Sequence, residues 1–159
     1  DTYNVEKASM FIGYVPDNED LYKHMKEAGY TVVLKPTVDM LMTKEELAVE
    51  SHVTKGNADA ELVLYAMKEL PYYEKAVVVS GDGDFYCLVE YLIKVNKFST
   101  LLTPNSHYSS LLEKFESSIV NIDSFKKELV YEYVKNKKKN QKRDIIKTFF
   151  CQIISLIHF

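Results

Sequence analysis

Apolar positions along the chain come in short blocks of two alternating kinds, continuous runs of four to seven residues and stripes at helical spacing. Ala8 to Tyr14, bounded by Pro16 and Asp17, predicts a short buried strand. Asp17 or Asn18 can cap a following helix whose stripe is Leu21, Tyr22, Met25 and Ala28, with Gly29 as its stop. Tyr30 to Leu34 is β-branched and ends at Lys35-Pro36, a second strand. Residues 37–56 lack a clean period and read as a loop with a helical turn around Lys44 to Val49.

Asp59 to Leu70 carries the stripe Leu62, Val63, Ala66, Met67 and Leu70 and is closed by Pro71. Ala76 to Val79 has no alternation, as expected of a parallel strand covered on both faces. The pattern then continues as a helix over Phe85 to Val95, a strand over Phe98 to Leu102, a helix over Tyr108 to Phe115 and a strand over Ile119 to Ile122. Strands alternating with helices over short links predict an α/β fold, a parallel sheet between two layers of helices.

Beyond Ser124, a candidate N-cap, Phe125 to Lys139 reads as a helix running into the basic stretch Lys135 to Arg143. Ile145 to Phe159 also reads as a helix, with Ile145, Ile146, Phe149, Phe150, Ile153, Ile154, Leu156 and Ile157 on one side. The expected organisation is a domain over residues 1–124 and a helical extension with a basic segment over 125–159.

Composition narrows the classes. A chain of 159 residues, 47% hydrophobic and with 12 Tyr and 8 Phe, can bury one core, and disorder is excluded. No run reaches the roughly 20 apolar residues of a membrane span, so no membrane partner is expected. Cys87 and Cys151 lie far apart without metal-ligand spacing, which argues against a zinc site or disulfide framework and for a cytoplasmic location. Charge is uneven: residues 1–125 hold 11 Lys against 20 Asp and Glu, residues 126–159 hold 9 Lys and Arg against 3 acids. An acidic body attracts a phosphate backbone only through bound metal ions or the basic tail.

The candidate chemistry centres on Val77 to Phe85, VVVSGDGDF, where a buried strand runs into two carboxylates separated by one glycine. Ligand sites of open α/β sheets lie at this end of the strands. Asp84 at a helix start also suits a simple cap, whereas Asp82 is not explained that way. Two adjacent carboxylates repel, and the pair gains most from a hard cation such as Mg²⁺ or Mn²⁺. Asp59, in KGNADAEL, offers a third carboxylate, although an acid in the first turn of a helix also suits the helix dipole.

KGNADAELVLYAMKEL followed by VVVSGDGDFYCLVEYL resembles the NYN domain family of PIN-like nucleases, in its LabA-like branch. The resemblance runs from about Ala8 to Ile122 and takes in GYTVVLKP and TPNSHYSSLLEKF. It implies a three-layer α/β/α sandwich with a mainly parallel, PIN-like sheet, and metal-dependent cleavage of RNA. Asp59, Asp82 and Asp84 fall on its acidic positions and would hold Mg²⁺ or Mn²⁺ and carry catalysis. Lys55 and Ser80 also match motif positions and would bind phosphate or shape the loops; ordinary turn and strand-end roles suit them equally. Lys137, Lys138 and Lys139, within a run of six cations in nine residues, are candidate RNA-backbone contacts or a solvated helix end. The four histidines show no ligand spacing, and Tyr72, Tyr73 and Tyr108 suit packing as well as base stacking.

Two departures qualify the resemblance. No apolar strand precedes Asp1-Thr2-Tyr3-Asn4, so the family's first strand, normally central and acid-bearing, is expected to be absent, and Asp1 and Asn4 are not assigned its role. The acid usual further along the family's helix is Tyr65 here. A missing central strand exposes strand edges, which the C-terminal helix or a second copy of the chain, a homo-oligomer, would cover. The alternative to a ribonuclease is an inactive RNA-binding or regulatory module. A receiver-like or phosphatase domain finds no supporting downstream Thr/Ser and Lys arrangement.

Overall fold

The computed structural model describes residues 3–15, 18–35, 58–126 and 152–157. Strand β1 (Lys7–Gly13), helix α1 (Glu19–Glu27) and strand β2 (Thr31–Lys35) form the first unit. The predicted loop and turn over 37–56 and the cap at Asp17 lie outside the described residues. Asn18 precedes α1 without a side-chain capping bond, while Glu19 and Asp20 favour its N-terminus through the helix dipole. The helix stops where Gly29 takes φ +95°, a left-handed conformation that costs glycine little.

Helix α2 (Asp59–Glu69), strand β3 (Lys75–Val79), a 3₁₀ turn (Gly83–Phe85), helix α3 (Tyr86–Lys94) and strand β4 (Phe98–Thr103) follow. A 3₁₀ segment (Ser110–Ser118), kinked at Phe115, replaces the expected α-helix over Tyr108 to Phe115. Strand β5 (Ile119–Asn121) then leads into a second 3₁₀ turn, Ile122–Phe125. Its cap is Asn121, whose side chain accepts from the Asp123 N–H, and the expected cap Ser124 lies inside the turn. The predicted helix beyond it lies outside the described residues from 127 on.

The larger correction concerns the C-terminus. Gln152–Ile157, expected within an amphipathic helix, is a strand, β6. The sheet order is β2-β1-β6-β3-β4-β5, with β1 to β5 parallel and β6 alone reversed. Ile154 is in register with Ser9 of β1 on one side and Val78 of β3 on the other. A run of isoleucines supports either a helix stripe or a strand flanked on both sides; the choice falls to whichever partner is present. Here the partners are two strand edges whose backbone N–H and C=O groups must be bonded. The gap that motivated a covering helix or a second copy of the chain is filled by the chain's own strand.

Successive residues of β1 face opposite layers. Met10 packs with Tyr22 and Met25 of α1, whereas Phe11 joins Leu62 and Ala66 of α2, Leu88, Val89 and Leu92 of α3, and Leu112. Ala76 and Val78 of β3 lie in that second cluster. Helices therefore cover both faces of the sheet, the α/β arrangement expected. Among the described residues no helix is long and apolar enough to cross a membrane.

Candidate metal and nucleic-acid site

The parallel strands end together, and the loops leaving them build the site. Val77 and Val78 are buried in the sheet, and the chain then turns out at Ser80. Ser80 is 6% exposed; its hydroxyl accepts from the Asp82 N–H at 3.1 Å, and its own N–H donates to the Leu102 carbonyl at 3.1 Å. This hydroxyl thus shapes the loop, one of the two roles expected for it.

Asp82 opens the 3₁₀ turn, and its Oδ1 accepts from the Asp84 N–H at 3.0 Å. The capping role, expected at Asp84, therefore falls to Asp82. It does not exclude a ligand role, because a carboxylate has two oxygens and several acceptor positions. Gly83 is buried against Ser109: a Cβ there would collide with the Ser109 hydroxyl and come within 3.1 Å of its Cβ.

Asp59 begins α2, whose Leu62 and Ala66 anchor the helix on the core. Oxygens of Asp59, Asp82 and Asp84 all lie within 4.8 Å of one another, Asp59 half-buried and the other two exposed. Oxygens facing each other across Mg²⁺ are about 4 Å apart, and across a larger hard cation about 5 Å. The donor set, three carboxylates and no sulfur or nitrogen, therefore fits a hard divalent ion in both chemistry and size. Carboxylates at this spacing repel one another, and a bound cation would relieve that repulsion.

An open cleft of about 440 Å³ is lined by two of these carboxylates, Asp82 and Asp84. One wall is Ser80 to Asp84; the other is the loop after β4, with Pro104, Asn105, His107, Ser109 and Leu111. Sequence reasoning missed this second wall, because nothing in TPNSHYSSL marks it as near the aspartates until β4 is seated beside β3.

Tyr65, at the position where an acid was expected, lies against Phe11 with ring centroids 5.3 Å apart, and Lys7 Nζ sits 5.1 Å from its ring. It serves the core and the start of β1 instead of the cleft. Lys55, Lys137, Lys138 and Lys139 lie outside the described residues.

The family model for the NYN domain matches residues 6–123. No curated protein and no solved structure matches the chain. NYN domains are nuclease-like domains that act on nucleic acids and generally use divalent metal ions. A match across most of the chain, an α/β sheet and an acidic cluster at its strand ends agree: the chain belongs to the NYN domain family.

Proposed function

We propose that the chain is a metal-dependent ribonuclease that hydrolyses RNA phosphodiester bonds, with Asp59, Asp82 and Asp84 as its catalytic and metal-binding residues. One observation carries the reading: three carboxylates from two separate segments converge within 4.8 Å. A bound Mg²⁺ or Mn²⁺ would polarise the phosphodiester and lower the pKa of an attacking water. The chain's own residues do the rest. The carboxylates would hold the ion, Ser80 and the Asp82 cap fix the loop that carries two of them, and α2 fixes the third.

Substrate binding falls to Lys55 and the basic run around Lys137, Lys138 and Lys139. Both flanks of the segment holding that run, Lys126 after β5 and Gln152 at the start of the reversed β6, lie toward the strand ends that carry the aspartates. We take residues 1–124 together with β6 (Gln152–Ile157), which completes their sheet, as the nuclease-like unit, the segment between them as an insertion carrying the basic run, and the cytoplasm as its location.

A second reading, an NYN module that binds RNA without cleaving it, is favoured by Tyr65 standing where the resemblance expects an acid. Cleavage of labelled single-stranded RNA decides between them. With Mn²⁺ the chain is expected to cut, EDTA to stop it, and Asp82→Asn to lower the rate at least a hundredfold. RNA retained but uncut by the unaltered chain would establish the second reading.

A further inference from the structure

The loop between β4 and the Ser110–Ser118 segment is clamped to the aspartate loop. The Ser109 N–H donates to the Gly81 carbonyl at 2.9 Å, and a Cβ at Gly81 would lie 3.4 Å from that of Tyr108. Asn105 bends the loop back by accepting from the His107 N–H at 2.8 Å. The two walls therefore hold a set separation, and the exposed His107 side chain borders the cleft opposite the carboxylates.

The chemistry of the second wall differs from that of the first. It contains no carboxylate, and among the described residues lining the cleft His107 is the one group able to carry positive charge. His107 is also outside the cluster whose ligand atoms converge. It faces what enters the cleft, and it does not belong to the metal set. Leu111, 60% exposed, and Pro104 add an apolar surface at the rim. A wall that combines a hydrogen-bonding imidazole with apolar surface suits a phosphate together with the flat face of a base. A volume of about 440 Å³ is the size of one nucleotide unit, and an unpaired strand can turn a base into it without first breaking a pair.

We propose that the Pro104–Leu111 loop is the substrate-binding wall of the site, with His107 contacting a phosphodiester of single-stranded RNA and Leu111 packing on a base. The inference rests on the nuclease reading for its substrate, but its test reads binding alone. The full chain, with ¹⁵N-labelled histidine and Mg²⁺, is titrated with a single-stranded oligonucleotide carrying cleavage-resistant phosphorothioate linkages. The His107 ring signals are expected to shift while those of His24, on α1, stay in place. His107→Ala is expected to weaken oligonucleotide binding about tenfold and His107→Gln, which keeps a donor, by less. Mg²⁺ affinity, measured by calorimetry, is expected to be unchanged in both.

Binding that leaves the His107 signals unmoved, or that His107→Ala does not weaken, overturns the proposal and leaves the nuclease reading intact. A shift at His107 in a chain that takes up no metal supports the wall and overturns the nuclease reading. An oligonucleotide that does not bind at all overturns the proposal.

Discussion

Asp82 caps a turn with one oxygen and contributes to the carboxylate cluster, so at this residue local structure and chemistry depend on one another. Gly83 makes the dependence testable. Alanine there meets Ser109, and the loop must move to admit it. Gly83→Ala is expected to destabilise the protein by about 1–3 kcal/mol and to weaken Mn²⁺ binding about tenfold, read by denaturant unfolding and calorimetry. Removing the opposing Cβ and hydroxyl with Ser109→Gly should restore much of both. Tyr73 supplies a test of the core at alkaline pH. Burial, and secondarily Tyr91, pushes its hydroxyl up to about 12, and it donates to the Ala66 carbonyl at 3.1 Å. A folded-state value above the ordinary tyrosine value near 10 means that the stabilisation is fully present below pH 10 and is lost as pH rises toward 12. It amounts to roughly 2–3 kcal/mol. Tyr73→Phe should flatten unfolding free energy against pH across that window. Asp59 and the SGDGD loop were legible at this scale because their motif is local; His107 was not, because only the pairing of β3 with β4 brings its loop to the aspartates.

Among the elements, β6 has the largest consequence for the fold. It hydrogen-bonds to both β1 and β3, so the sheet would divide into a pair and a trio without it. Proline at Ile154 removes a backbone donor from the middle of the sheet, where it is poorly tolerated. Ile154→Pro is expected to cost about 3 kcal/mol or more and to abolish or sharply lower the cooperative thermal transition followed by circular dichroism. A segment merely appended to the domain would show little change. The helix expected there was a reasonable reading of QIISLI in isolation, since apolar residues on both sides of a run satisfy a helix stripe and a central strand alike. By contrast α2 and α3 were legible from their apolar stripes, and α2 also from the Pro71 that closes it, although neither helix has a side-chain cap.

At the scale of the whole molecule, the distribution of charge opposes the substrate that the fold suggests. The first 125 residues hold 20 acids against 11 lysines, and an RNA backbone approaches them only against repulsion. On the proposed reading, bound cations and the basic segment would offset that repulsion. Replacing Lys137, Lys138 and Lys139 by Gln is expected to weaken RNA binding uniformly across sequences. It should reduce the slope of log affinity against log salt by about 2, given roughly 0.7 per phosphate contact on single strands. Fluorescence anisotropy at several salt concentrations measures both. An unchanged slope would remove these lysines from the interface.

The sequence by itself determined the order and type of most elements, the parallel α/β class, and two of the three acids as neighbours. These follow from interactions over a few residues: hydrophobic period, a glycine stop such as Gly29, and a glycine-spaced turn. Only the tertiary structure decided that Asp59 meets Asp82 and Asp84, that the loop after β4 walls the same cleft, and that the last isoleucines form the reversed strand at the centre of the sheet. Each of these depends on contacts between residues distant in the chain, where competing local patterns are nearly equal in energy and the available backbone and apolar partners settle the outcome.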